Sequence, residues 1–287
     1  MLTTRQRLIL VAPLALVLLP FLVWPAGFGL LASFTNYGPG QRSLRWVGAA
    51  NYLEVLRSQQ FRAATVNIAA FTLVSVTAEI AIGLGLAYLL REPFRGRGLV
   101  QVALLLPWLV SPIANGVMWH FLFDLPTGLY PFPPALLRVA APPSPLGTLG
   151  WAMPTLMAVD VWRMAPLAAF LLVPGLAAIP AERWEQARLD GAPLLSRFRH
   201  VVWPDVWPLA ATVAMLLAGA SLGAFDTVLI LTGGGPGDET ITPGLFSYQQ
   251  AFQVNNWPAG ATSAWLIMLA VAVVGLVYLA GLRQRPA

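Results

Sequence analysis

Residues 178–208 read AIPAERWEQARLDGAPLLSRFRHVVWPDVWP, the longest polar interval in the second half of the chain, with apolar runs on both sides. Four arginines (Arg183, Arg188, Arg197, Arg199) and His200 lie in it, which marks the interval as cytoplasmic by the positive-inside rule. The residue pattern predicts two short helices. Pro180 stands where a first helical turn tolerates proline, Glu182 and Glu185 suit the positive N-terminal end, and Gly191 provides a stop. A second helix is expected from about Pro193 to Trp203, with Leu194, Leu195, Phe198, Val201 and Val202 at helical spacing and Pro204 ending it. Such an elbow is either a solvated loop lying on the membrane surface or a handle that another protein grips.

Composition bounds what the flanking runs can be. The chain has 287 residues, 57% hydrophobic and 10% charged, against about 25% charged in soluble domains. It is therefore a membrane protein by composition, and its long apolar runs make an all-α one the expectation. All 17 basic residues are arginine, so no P-loop lysine is present to reach a nucleotide phosphate. Cysteine is absent, which removes thiol nucleophiles and Cys-ligated metals. His120 and His200 are the only histidines and lie far apart in sequence, so a His-based metal site or a hydrolase triad has little to draw on. The net charge of +5 sits at the ends of apolar spans, where membrane topology accounts for it without nucleic acid. The composition thus points away from an enzyme, and the expected catalytic and metal residues are none.

Six spans are expected, at about 8–33, 61–90, 99–123, 150–177, 209–231 and 258–282, each close to the length one bilayer crossing needs. They place both termini in the cytoplasm, and the whole of 1–287 is expected to be one transmembrane domain with the elbow at 178–208. Arg5, Arg7, Arg91, Arg95, Arg97, the elbow arginines, Arg283 and Arg285 then lie inside. Arg42, Arg45, Arg57 and Arg138 lie outside, with Arg62 near the boundary.

Polar residues inside the spans are the candidate pathway. Glu79 is costly in hydrocarbon; it lines a passage, is protonated, or pairs with a group elsewhere, and a structural role is favoured. Gly83 and Gly85 allow close helix packing. Pro107 and Pro112 predict a broken third span. Asn115 and Trp119, one turn apart, offer an amide for hydroxyls beside an aromatic face for a sugar ring, or else pack a helix and anchor an interface. Asp160 and Arg163 are three apart and can neutralise each other. Ser221, Gly223 and Asp226 interrupt the fifth span. Tyr248 lies in an external segment from 238 to 257 that carries no basic residue.

Glu185-Gln186-Ala187, then Asp190-Gly191-Ala192, then Phe198, Val202 and Trp203-Pro204 resemble the EAA loop of bacterial ABC importer permeases. The chain departs from that pattern at Gln186, where Ala is usual, and at Trp203, where Leu is usual. Ala32-Ser33-Phe34-Thr35-Asn36-Tyr37, with Trp46-Val47-Gly48 and Asn51-Tyr52, resembles the first helix and first external loop of sugar-type permeases. Leu231-Thr232-Gly233-Gly234-Gly235-Pro236 after Phe225-Asp226 resembles the MalF-like or UgpA-like half of the permease pair.

The resemblance implies a six-helix type I (MetI-like) importer fold in the bacterial inner membrane. It also implies coupling to the ATPase through Glu185, Ala187, Asp190, Gly191, Ala192, Phe198 and Pro204. It implies as partners a second, MalG-like permease, two ABC ATPase subunits that hold ATP and Mg, and an extracytoplasmic solute-binding protein, with lipid around the spans. No cofactor is expected on this chain. The solute is expected to be a sugar, moved by alternating access, with Asn115, Trp119, Ser221, Asp226 and Tyr248 along its path. Permeases for sn-glycerol 3-phosphate or glycerol phosphodiesters share the pattern. An ion-coupled secondary transporter is a further alternative; Glu79 and Asp160 suit it, but the two halves show no convincing repeat.

Overall fold

The computed structural model describes residues 4–40, 43–125, 128–133 and 143–283. Arg42, Arg138 and Arg285 lie outside the described residues. Within them the structure is helical, with one antiparallel bridge between Thr35 and Trp46. The helices are α1 (Thr4–Ser33), α2 (Ala50–Arg57), α3 (Gln59–Arg91), α4 (Arg97–Leu109), α5 (Pro112–Phe123) and α6 (Ala152–Ala177). The elbow follows as α7 (Ala181–Leu189) and α8 (Leu194–Arg197), then a π-helical turn (Phe198–Val202) that leads into α9 (Trp203–Leu222). The chain continues with α10 (Asp226–Leu231), α11 (Pro243–Tyr248), a second π turn (Gln249–Gln253) and α12 (Trp257–Arg283).

Among the described residues, four helical stretches are each long and apolar enough to cross a bilayer: α3, α6, the continuous run Leu194–Leu222, and α12. The pair α4–α5, bent by 92° at the break, is apolar enough as a pair for a broken crossing or a re-entrant loop. The bend follows from Pro112. Proline disfavours the helical conformation in the residue before it, and Ser111 is extended at ψ 149° while its hydroxyl accepts from the Ala114 amide at 3.3 Å to start α5. The sixth expected span is α1, 30 residues with three internal prolines, of which Leu18–Ser33 is the described apolar part.

Two expectations are corrected. Pro204 does not end a helix; it is the second residue of α9, and the helical path runs on to Leu222. In a regular helix its ring would strike the carbonyl four residues back, that of His200. His200 lies instead in the wider π turn, which accommodates the ring. The fifth span is also not one helix over 209–231. It starts at Trp203, stops at Leu222, and restarts as the short α10 after Gly223, Ala224 and Phe225.

The contacts divide the chain into two compact units, Met1–Arg62 with Pro243–Leu269, and Ala63–Thr242 with Ala270–Ala287. In the first, the conspicuous motif after α1 proves to be a helix terminator. Helix ends leave carbonyls without partners; Asn51 Nδ2 donates to one of them, Ser33 O at 2.8 Å, and to Thr35 O just beyond the helix at 2.9 Å. Phe34 stacks on Trp46 at 5.4 Å and meets Tyr52 at 5.1 Å.

The second unit holds the larger core. Val76, Leu84 and Ala87 of α3 meet Met164, Ala168, Leu172 and Leu176 of α6, and Val202, Val206, Ala210, Val213 and Leu217 close the cluster. The last two sets recur every three or four residues, the stripe that an amphipathic helix buries. Where α3 crosses α6 the backbones nearly touch, so that a Cβ on Gly83 would lie 2.7 Å from Ala168 Cβ and 3.0 Å from the Ala169 nitrogen. Backbone cannot swing aside as a side chain can. Gly83→Val is therefore expected to destabilise the protein by about 1–3 kcal/mol, the usual cost of overpacking. A thermal melt of the purified variant in detergent checks this, and an unchanged midpoint would contradict the crossing.

Candidate functional site

The elbow takes its direction from one turn. Gly191 has φ +62°, a left-handed conformation that glycine adopts without steric cost. The Ala192 amide donates to Ala187 O at 3.1 Å and the Gly191 amide to Arg188 O at 3.1 Å. These are the paired bonds of a Schellman motif, which stops α7 and reverses the chain. Arg197 Nε then donates to Ala192 O at 2.6 Å, tying α8 back to the turn.

The two sides of the elbow differ. Trp184, Ala187 and Val202 are buried inward, whereas Glu185, Asp190 and Pro204 are exposed. Leu189, Leu194 and Leu195 are 87%, 71% and 78% exposed at the tip, with Phe198 beside them. Three exposed leucines next to arginines make an apolar surface rimmed by charge, the usual sign of a contact surface.

The intramembrane candidates fall in different places. Ser221 and Asp226 line a cavity of about 220 Å³ in the second unit, together with Asp160, Arg163, Thr227 and Pro112. The break between α9 and α10 opens this cavity, since Gly223, Ala224 and Phe225 are part of its wall. Asp160 and Arg163 are paired at 3.5 Å. Both were read from the sequence as a neutralising pair, and the structure puts them on the cavity wall as well. Glu79 of α3 is fully buried, and its charged neighbours are Asp160 and Arg163.

Asn115 and Trp119 share a face of α5, as expected, but neither lines that cavity. Asn115 is fully buried with no hydrogen bond from its amide. Trp119 packs edge-on against Trp162 at 5.4 Å and stacks on Phe123 at 5.5 Å. Tyr248 belongs to the first unit, where its ring lies 5.3 Å from Phe252.

The glycine-rich string is an ordered loop. Thr240 Oγ1 donates to Thr232 Oγ1 and is also 2.8 Å from Gly235 O. Asn67 Nδ2, from α3, donates to Asp238 O at 2.8 Å and to Ile241 O at 3.0 Å. The Gly150 amide donates to Glu239 Oε1 at 2.8 Å. Sequence reasoning missed Thr227, whose hydroxyl donates to Pro112 O at 3.2 Å across the cavity. Its only signal was a position next to Asp226.

Comparison with known proteins agrees with this architecture. The chain is 31% identical over 271 residues to the trehalose/maltose transport system permease protein MalF of Thermococcus litoralis, covering 94% of this chain and 91% of that one. It is 28% identical over 280 residues to the trehalose transport system permease protein SugA of Mycobacterium tuberculosis, covering 96% and 88%. It is also 28% identical over 269 residues to the sn-glycerol-3-phosphate transport system permease protein UgpA of Yersinia pestis, covering 93% and 90%. The fold matches a chain in the crystal structure of a bacterial ABC transporter involved in the import of the acidic polysaccharide alginate. There the TM-score is 0.81 at 17% identity, with 97% of this chain and 96% of that chain covered. Residues 79–285 match the family described as the binding-protein-dependent transport system inner membrane component, and the chain belongs to that family.

Proposed function

We propose that this chain is the MalF-like half of a sugar importer, acting over 1–287 as one permease domain with both termini in the cytoplasm. A second, MalG-like permease completes the pathway, two ABC ATPase subunits bind ATP and Mg, and an extracytoplasmic binding protein delivers the solute. The observation that carries this reading is the elbow, a rigid reversal that presents Leu189, Leu194 and Leu195 to a partner. ATP hydrolysis has to come from partners, because a chain without lysine has no P-loop of its own. A neutral sugar suits the polar cavity at Ser221, Asp226 and Thr227, and trehalose and maltose name two of the relatives.

Arg163 on the cavity wall and the UgpA relative favour sn-glycerol 3-phosphate as a second reading. The test is uptake into proteoliposomes holding the chain and whatever co-purifies with it. ATP-dependent, vanadate-sensitive uptake of labelled trehalose or maltose, unaffected by excess glycerol 3-phosphate, is the expected result. Uptake driven by an ion gradient without ATP would overturn it.

A further inference from the structure

The inner face of the elbow carries a second feature, separate from the surface offered to a partner. The Arg91 guanidinium, in the last turn of α3, lies 3.6 Å from the ring centre of Trp184 on α7 and 5.4 Å from that of Tyr88. The two rings are themselves 5.9 Å apart. The Arg91 side chain is only 16% exposed, and Trp184 is buried. Glu92 Oε1 accepts from Arg91 Nη2 at 2.8 Å and from Arg188 Nη2 at 3.1 Å. Trp184 and Arg188 are one turn apart on α7, so the end of α3 holds that helix at two successive turns. On its other side α7 is joined to the first turn of α9 by Arg183 Nη1 to Asp205 Oδ2 at 2.5 Å.

These links differ in strength. Arg188 and Glu92 are each more than half exposed, and exposed ion pairs contribute little. A guanidinium withdrawn from water and laid on a tryptophan face is held much more firmly. Of the two charged links from the end of α3 to α7, the firm one is therefore Arg91 on Trp184. From Arg91, α3 runs back about three helical turns to Glu79, beside Asp160 and Arg163 at the cavity.

We propose that Arg91 is a positioning residue that pins the elbow helix to α3, so that displacement of the elbow moves the helix carrying Glu79. This rests on the importer reading, in which an ATPase displaces the elbow. In that reading α3 is driven through the pin and α9 through the backbone of the elbow itself. Loss of the pin uncouples the α3 side of the cavity while leaving the partner surface at the tip in place.

The test uses the complex co-purified with the full chain, reconstituted with its binding protein, and reads solute moved per ATP hydrolysed. Arg91→Ala and Trp184→Leu should each lower that ratio about tenfold, in keeping with the strength of a desolvated cation–π contact, while the subunits still co-purify. The double variant should be no worse than either single one. Arg91→Lys, which keeps a cation over the ring, should recover most of the ratio. Should Arg91→Ala fail to accumulate, Arg91→Gln, of similar volume without the charge, is read in its place. A ratio unchanged in an assembled Arg91→Gln or Arg91→Ala complex overturns the pin and leaves the importer reading intact. An unmutated chain that recruits no ATPase removes both.

Discussion

Gly191→Val should abolish ATP-dependent uptake while leaving the chain inserted in the membrane at its normal level. No atom outside its chain neighbours lies within 4 Å of where the new Cβ would be, so the effect is not a clash. It is backbone strain, because φ +62° costs an ordinary residue about 1–2 kcal/mol, and more with a β-branched side chain. That strain falls on the two Schellman bonds that set the angle between α7 and α8. Gly191→Asn provides the control, since asparagine accepts the left-handed conformation, and it should keep most of the uptake. Uptake by the valine variant equal to that of the unmutated chain would remove the elbow as lever.

Arg163→Ala should be the most damaging single change to the fold. It removes the cation beside Asp160 and Glu79, both buried in the second unit. Breaking a buried ion pair from one side costs about 3–5 kcal/mol, because the remaining charge is left unpaired in a low-dielectric site. The expected observation is a large drop in the thermal midpoint of the purified protein and in its amount in the membrane. Arg163→Lys, which keeps the charge on a side chain of different reach, should lose much less. A midpoint for Arg163→Ala within a degree or two of the unmutated protein would mean that the three groups do not depend on one another.

The features legible in the sequence were those with local causes. A glycine that must be left-handed, a proline that must start a helix and an arginine-rich gap between apolar runs each act within a few residues. Gly191 and the break at Pro112 were therefore read in place. Pro204 was misread because its usual effect was cancelled by a π turn one residue upstream, and nothing in RFRHVV announces that turn. The short helices α2, α10 and α11 have 8, 6 and 6 residues, fewer than periodicity needs to be distinct. The placement of Asp160 and Arg163 on a cavity with Ser221 and Asp226 depends on how α6 packs against the α9–α10 break. That contact is long-range and leaves no mark in either segment alone. Arg91 looked like one more positive residue at a span end, and only the packed helices show Trp184 beneath it.

The central claim, that the elbow is the surface through which an ATPase drives this permease, is open to a direct measurement. The chain contains no cysteine, so Leu195→Cys creates a single thiol at the exposed tip. In a complex that hydrolyses ATP, a short thiol-to-amine cross-linker should join that cysteine to the co-purified ATPase subunit. Leu73→Cys, exposed on the membrane-spanning α3, should give no such product. A Leu195→Cys thiol that reacts freely with a water-soluble maleimide and forms no cross-link in an active complex would contradict the account.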